Sequence, residues 1–249
     1  MTSSTPAVEL RHVSKAFGDL RVLDDVSLVV PAGRAVCILG RSGTGKCVTL
    51  KHIVGLLQPD AGQVLVEGED ITALRGTDLA RVRKRVGLLF QHAALFDSIS
   101  VGENVAFPLR RHTRKPDAEI RARAQDLLGQ VGLDREYDKM PADLSGGMKK
   151  RAGLARALVL DPPIVLADEP SAGLDPVTAA EIDALLLELN ERSKTTLIVV
   201  THNIPSARKL GDELVFLHEG RIIAQGDAAA LEASENPLVR EFMRSESSG

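Results

Sequence analysis

Tryptophan is absent, tyrosine occurs once and phenylalanine six times in 249 residues. Proteins that track a nucleic-acid strand use stacking aromatics and a basic surface. This chain has few of the first and no basic excess, with 34 acidic against 31 basic residues. Nucleic acid is therefore not expected as a partner. Cysteine is as scarce: Cys37 and Cys47 are the only two, which is no disulfide framework and suits a reducing setting. No apolar run approaches the ~20 residues that cross a bilayer. Residues 1–9 lack the basic and apolar stretches of a signal peptide. A membrane role would be played from the side.

What is present is alternation, in a chain long enough for one large α/β domain or a domain with an inserted lobe. Residues 7–13 and 22–30 are β-rich, and Pro31-Ala32-Gly33 marks a turn. Residues 35–39 form a compact apolar run expected to be a buried strand. Leu50, Ile53, Val54 and Leu57 recur on one helix face. Further strands are expected at 63–66, 86–90, 164–167 and 197–200, and a hairpin at 214–217 and 221–224 around Glu219-Gly220. Helical periodicity covers 101–109, 117–131 and 145 to about 160. Another helix opens at Asp175-Pro176, with a cap and a first-turn proline, and carries Ile182, Leu185, Leu186 and Leu189 on one face. Two short helices end the chain, and residues 245–249 are expected to be disordered. Strands alternating with helices imply a mostly parallel sheet. The expectation is a single domain over 5–244, with an α/β core at about 5–92 and 161–244 and a helical subdomain at about 93–160.

Gly40-Arg41-Ser42-Gly43-Thr44-Gly45-Lys46 follows a strand and opens a helix, the context a phosphate loop requires. Its glycines let backbone N–H groups turn inward, and the helix N-terminus, with Cys47 and Val48, adds to an anion site. Lys46 supplies a point charge to the β- and γ-phosphates of ATP. Cys47 stands where a Ser or Thr hydroxyl would bind Mg²⁺, a hard ion that prefers oxygen. Thr49 cannot replace it, since two residues on it points about 200° around the helix. Two readings of Cys47 stay open: a tolerated small side chain with water completing the metal's shell, or an impaired or redox-sensitive ATPase. Its place at a helix N-terminus beside Lys46 leads to the expectation of a reactive thiol, with Cys37 inert in the core. The apolar strand ending in Asp168-Glu169 is a Walker B pattern. Asp168 would hold Mg²⁺ and Glu169 would activate or orient water.

Leu144-Ser145-Gly146-Gly147-Met148 resembles the signature of the ABC ATPases, with Met where Gln is usual. Ser145 caps a helix there, making a second anion site with Gly146 and Gly147. Ala172-Gly173-Leu174-Asp175 resembles that family's D-loop, His202 its switch histidine, Gln91 its Q-loop and Phe17 its adenine-stacking aromatic. The resemblance implies an α/β P-loop NTPase (RecA-like) core with an N-terminal antiparallel β region and an inserted α-helical subdomain. It implies ATP and Mg²⁺ as cofactors, with Gln91 beside the metal. It also implies a homodimer, because the P-loop of one subunit faces the signature of another and one chain holds one of each.

Within that family, the stretches at 91–98, 101–109 and 236–242 and the signature's Met148 are similar to the Mla/MCE lipid-transport ATPases. That similarity implies phospholipid transport across the cell envelope. The partners would be an integral permease on a separate chain, an MCE lipid-binding protein and a small accessory subunit. The ATPase would be peripheral, on the cytoplasmic face of the inner (plasma) membrane. An amino-acid or metal importer is the alternative within transport, and a low-turnover nucleotide-binding regulator is the alternative that Cys47 favours. A repair ATPase would need long heptads between P-loop and signature, and a translation ATPase two cassettes; neither is present.

Overall fold

The computed structural model describes residues 5–245. In chain order the elements are β1 (Val8–Phe17), β2 (Leu20–Val30), β3 (Ala35–Leu39), α1 (Lys46–Ile53), β4 (Ala61–Val66), β5 (Glu69–Asp70), α2 (Gly76–Arg83), β6 (Val86–Leu89), α3 (Val101–His112), α4 (Asp117–Gln130) and α5 (Gly146–Leu158). They continue as β7 (Ile164–Asp168), α6 (Pro176–Ser193), β8 (Thr196–Thr201), α7 (Ile204–Leu210), β9 (Glu213–His218), β10 (Arg221–Gly226), α8 (Ala228–Glu232) and α9 (Pro237–Arg244). One sheet is antiparallel in the order β2-β1-β4-β5; the other runs β10-β9-β3-β8-β7-β6 and is parallel except for its β9–β10 hairpin.

The central strand β3 is buried on both faces, and its side chains divide by the two-residue period of a strand. Val36 and Ile38 join Leu10, Val13, Leu23 and Val64 in a core between the two sheets. Cys37 and Leu39 turn the other way, toward Ile182 and Leu186 of α6 and Ala207 of α7. A slip of one residue would exchange the faces, so the register is strongly specified. A third core lies in the helical region, where Val105, Leu109, Ile120, Leu127, Leu128 and Ala155 close α3, α4 and α5 on one another.

The parallel register aligns the carboxyl ends of the central strands: Leu39 pairs with Thr201, Asp168 with Val200, and Leu89 with Ala167. The loops leaving β3, β6, β7 and β8 therefore meet at one edge, where open parallel sheets place their ligands.

Several elements differ from the sequence expectation. Helix α1 ends at Ile53, a turn short of Leu57, because Gly55 takes φ +64 and stops it. Strand β1 runs four residues beyond Val13, its register shifting as it bends. Helix α2 was not expected, since only Leu79 and Val82 are buried in it. Of the disorder expected at 245–249, residues 246–249 lie outside the described residues, whereas Ser245 closes α9 by donating its N–H to the Phe242 carbonyl at 3.1 Å.

Candidate functional site

The loop after β3 folds tightly because two glycines leave no side chain in its way. A Cβ on Gly40 would lie 2.3 Å from the Leu217 carbonyl oxygen, and one on Gly45, at φ +104, would lie 2.8 Å from that of Val22. Gly45 also caps α1 without any side-chain acceptor, so the helix's first N–H groups are left for a ligand. Lys46 is 5% exposed. Its Nζ donates to the carbonyls of Gly40 (2.7 Å) and Arg41 (3.1 Å) and lies 3.8 Å from Glu169 Oε1.

A cavity of about 490 Å³ opens over this loop. Its walls include Arg41, Ser42, Gly43, Gly45, Lys46, Cys47 and Val48, joined by Gln91, Glu169 and His202 from the ends of three other strands. Val22, Phe242 and Ser245 also line it. No motif marks Val22 or Ser245, and Phe242 belongs to the 236–242 stretch noted for its family likeness without a site role; β2 and the end of α9 bring them there.

Glu169 is 7% exposed and stands in the left-handed region at φ 46. Its carboxylate is held by donors on every side. Oε2 accepts from Thr201 Oγ1 (3.1 Å) and the His202 N–H (3.3 Å), and Oε1 contacts His202 Nδ1 at 2.9 Å. Its backbone N–H donates to the Val200 carbonyl at 2.9 Å. A buried carboxylate fixed this firmly, beside a buried ammonium and an imidazole, is placed to orient or deprotonate a nucleophile.

Cys47 departs from the expectation. Its Sγ donates to Asp168 Oδ1 at 3.0 Å. Burial, then that hydrogen bond, push the thiol up to about 12, and the nearby charge of Lys46 is too weak an opposing influence. The reactive thiol expected from a helix N-terminus is thus corrected: burial and the hydrogen bond to Asp168 stabilise the protonated form. Cys37 is raised further by complete burial. Incubation with an alkylating agent at about pH 7.5 should label Cys47 in the folded chain roughly a thousandfold more slowly than in the unfolded chain. Timed mass spectrometry reads this directly, and labelling of the folded chain at the unfolded rate would refute the protonated thiol.

Other candidates lie outside this cavity. Gly40 and Thr44 shape the loop from behind, Thr44 Oγ1 donating to the Arg41 carbonyl at 2.9 Å. Phe17 is 47% exposed at the end of β1, with Lys15 Nζ 5.6 Å from its ring centre. Ser145 caps α5 by accepting from the Met148 N–H at 3.3 Å, and Asp175 caps α6 by accepting from Val177 and Thr178, both at 3.1 Å. Gly146 and Gly147 follow at the start of α5, and none of these four lines the cavity.

Among the described residues no three His, Cys, Asp or Glu side chains gather as a metal cage. The chain alone offers Asp168 as a hard anionic oxygen, the Gln91 amide in the cavity wall, and one sulfur. That donor set fits a divalent cation that arrives with most of its oxygen ligands, as Mg²⁺ does on a nucleotide. It fits poorly at Cys47, whose neutral thiol is a soft, weak acceptor.

The sequence profile of the family described as ABC transporter matches residues 23–172. The "Probable ribonucleotide transport ATP-binding protein mkl" of Mycobacterium leprae is 44% identical over 237 residues, which are 95% of this chain and 68% of that protein. Its Mycobacterium tuberculosis counterpart is also 44% identical, with 66% of its length spanned. The chain thus spans about two thirds of these mycobacterial relatives. The "Intermembrane phospholipid transport system ATP-binding protein MlaF" of Escherichia coli is 41% identical over 95% of this chain and 88% of its own length. Among solved structures, the dimeric post-hydrolysis state of the ATP-binding cassette MJ0796, bound to ADP and Pi, superposes with a TM-score of 0.83 at 35% identity, covering 88% of this chain and 98% of that one.

Proposed function

The chain belongs to the ABC transporter family, and on that footing we propose that it is the ATP-hydrolysing subunit of a transporter that moves phospholipid across a cell envelope. The observation that carries the hydrolytic part is the buried Glu169 carboxylate, 3.8 Å from Lys46 Nζ and 2.9 Å from His202 Nδ1 over the phosphate loop. The cargo rests on likeness to the E. coli phospholipid-system protein, which this chain matches over 88% of its length. The mycobacterial relatives, named for ribonucleotide transport, extend well beyond the part matched.

In this reading the N–H groups of the loop and of the start of α1 take the triphosphate, and Lys46 neutralises its terminal oxygens. Asp168 and Gln91 would hold Mg²⁺ with the phosphates, Cys47 contributing little. When bound, the ion offsets charge that develops on the phosphoryl oxygens. Glu169 draws the proton of the attacking water, and His202, anchored through Nδ1, presents its other ring nitrogen to the γ-phosphate. Phe17 stacks on adenine. The site is completed by Ser145, Gly146, Gly147 and Asp175 of a second copy, making a homodimer with two nucleotides. Residues of about 5–92 and 161–244 serve as the nucleotide-binding core, and about 93–160 as the lobe that presents the signature.

No helix among the described residues is long and apolar enough to cross a membrane. The proposed location is the cytoplasmic face of the inner membrane, held by a permease on another chain, with an MCE lipid-binding protein and a small accessory subunit. A groove of about 330 Å³ between β6, α3 and α5 suits the permease contact. Phe96 and Phe107 stand there 46% and 42% exposed, ring centres 4.9 Å apart, with Arg83, Lys84, His112 and Arg156 around them.

The test is co-purification from membranes, identification of the associated subunits, and ATP-dependent phospholipid transfer by the isolated complex. Phe107→Asp should release the chain from permease-containing membranes while leaving ATP affinity intact. Removing an aromatic anchor from an interface weakens binding by roughly 2 kcal/mol or more, about thirtyfold in affinity. Co-sedimentation of the isolated chain with bare lipid vesicles, as strong as with the permease present, would contradict this mode of attachment.

A further inference from the structure

Lys150 occupies the second turn of α5, five residues after Ser145 and about 7.5 Å farther along the axis. It falls in the run Lys149-Lys150-Arg151, yet only 6% of it is exposed. An ammonium withdrawn from water is unfavourable unless its donors are used. Here two of the three are: Nζ donates to the Glu169 carbonyl at 3.0 Å and to the Ala172 carbonyl at 2.7 Å. The side chain leaves the helical lobe and fastens the turn that follows β7.

That turn is demanding backbone. Glu169 is in the left-handed region, which a side chain with a Cβ seldom adopts. Such a conformation persists only where its surroundings fix it. The Val200 carbonyl fixes its N–H, Thr201 and His202 fix its carboxylate, and Lys150 fixes its carbonyl. Helix α5 also abuts α6 one turn earlier, where a Cβ on Gly147 would come within 2.4 Å of Thr178 Cγ2. The Ser145 end of α5, the Glu169 turn and the Asp175 cap of α6 are therefore joined by direct contacts.

In the dimer of the proposed function, Ser145 meets nucleotide held by the partner's phosphate loop, whereas Glu169 acts on nucleotide held by its own. Lys150 joins groups that serve different sites. We propose that Lys150 is a positioning residue that couples the two ATP sites, so that nucleotide engaging the start of α5 at one site sets the backbone of Glu169 at the other. The inference rests on that dimeric reading.

The experiment uses the full chain and the variants Lys150→Met, which keeps bulk and loses all donors, Lys150→Gln and Lys150→Arg. Hydrolysis is followed against ATP concentration, together with ATP affinity and melting temperature. For Lys150→Met the expected result is ATP affinity within about twofold of the parent, turnover lower by roughly tenfold, and a sigmoidal ATP dependence flattened toward a Hill coefficient of one. Lys150→Arg should restore both turnover and sigmoidicity to within about threefold, because its guanidinium can again reach two carbonyls. Should the methionine variant not fold, Lys150→Gln, which keeps one donor fork, carries the test with a smaller loss of the same sign. A methionine or glutamine variant that folds and keeps the parent's turnover and Hill coefficient overturns the proposal. So does loss of turnover with an unchanged Hill coefficient, or a parent that hydrolyses ATP without cooperativity. A parent that does not hydrolyse ATP at all would instead sink the functional reading on which the proposal stands.

Discussion

Glu169→Gln should lower steady-state hydrolysis by roughly 10²–10⁴-fold, the usual contribution of a positioned general base, while ATP still binds. The carboxylate lies in the cavity wall with Lys46, Cys47 and His202, and the glutamine that replaces it has the same shape. An amide cannot take the proton of the attacking water. It also retains only one acceptor oxygen where Oε1 and Oε2 together met His202 Nδ1, the His202 N–H and Thr201 Oγ1. One lost hydrogen bond to a carboxylate reduces stability by about 1.5–3 kcal/mol, which leaves the variant folded. With ATP bound and not consumed, two chains should stay closed around nucleotide and elute as a stable dimer in size-exclusion chromatography with Mg-ATP. Equal hydrolysis by variant and parent would remove Glu169 from its assigned role.

Lys46→Ala acts one step earlier, and nucleotide binding itself should fail. The ammonium is buried and bridges the Gly40 and Arg41 carbonyls, so it anchors the loop as well as carrying charge toward the cavity. Removing one partner of a buried charge pair weakens binding by roughly 2–5 kcal/mol, about thirty- to several-thousand-fold in Kd. The Glu169 carboxylate, 3.8 Å away, also loses its nearest buried cation, which sets a negative charge against the incoming triphosphate. Titration with a fluorescent ATP analogue measures the loss. An affinity within about threefold of the parent would mean the lysine serves only to close the loop.

What could be read in advance followed local chemistry. Residues 35–39 are apolar throughout and flanked by glycine, so their burial on both faces of a parallel sheet was legible, and with it the loop and helix that follow. The hairpin around Glu219-Gly220 was legible for the same reason: a turn pair sits between two apolar runs. Non-local chemistry was not legible. The state of Cys47 is decided first by its burial and then by Asp168, 121 residues away, which together outweigh the Lys46 that the sequence displays beside it. No sequence pattern marks Lys150 among its neighbours Lys149 and Arg151, and only the fold shows its ammonium on the Glu169 carbonyl. Phe242 reached the cavity wall through the packing of α9, where Val239 and Met243 are buried and Phe242 meets the Phe216 ring at 4.7 Å. Helix α2 carries too few apolar residues to announce itself.

The separate core of the helical lobe has a mechanical meaning. Helices α3 and α4 bury Val105, Leu109, Leu127 and Leu128 against α5, and of the three only α5 also extends side chains, Leu154 and the partly buried Leu158, into the core beneath the parallel sheet. A load applied to α3 at Phe107 cannot be relieved by peeling that helix away, because each large apolar side chain exposed would be unfavourable by about 1.5–3 kcal/mol. The lobe is stiff within itself and is carried on one shaft. Arg156 ties that shaft to the Ala93 and Ala94 carbonyls, at 2.6 and 2.7 Å, and Lys150 ties it to the Glu169 turn. Each of these ties has a charged donor and contributes about 1.5–3 kcal/mol. A load entering at Phe107, the proposed permease contact, is thus shared along α5 as a small rotation of the whole lobe before any part of it unfolds. Through Arg156 it reaches the backbone beside Gln91, and through Lys150 the backbone of Glu169.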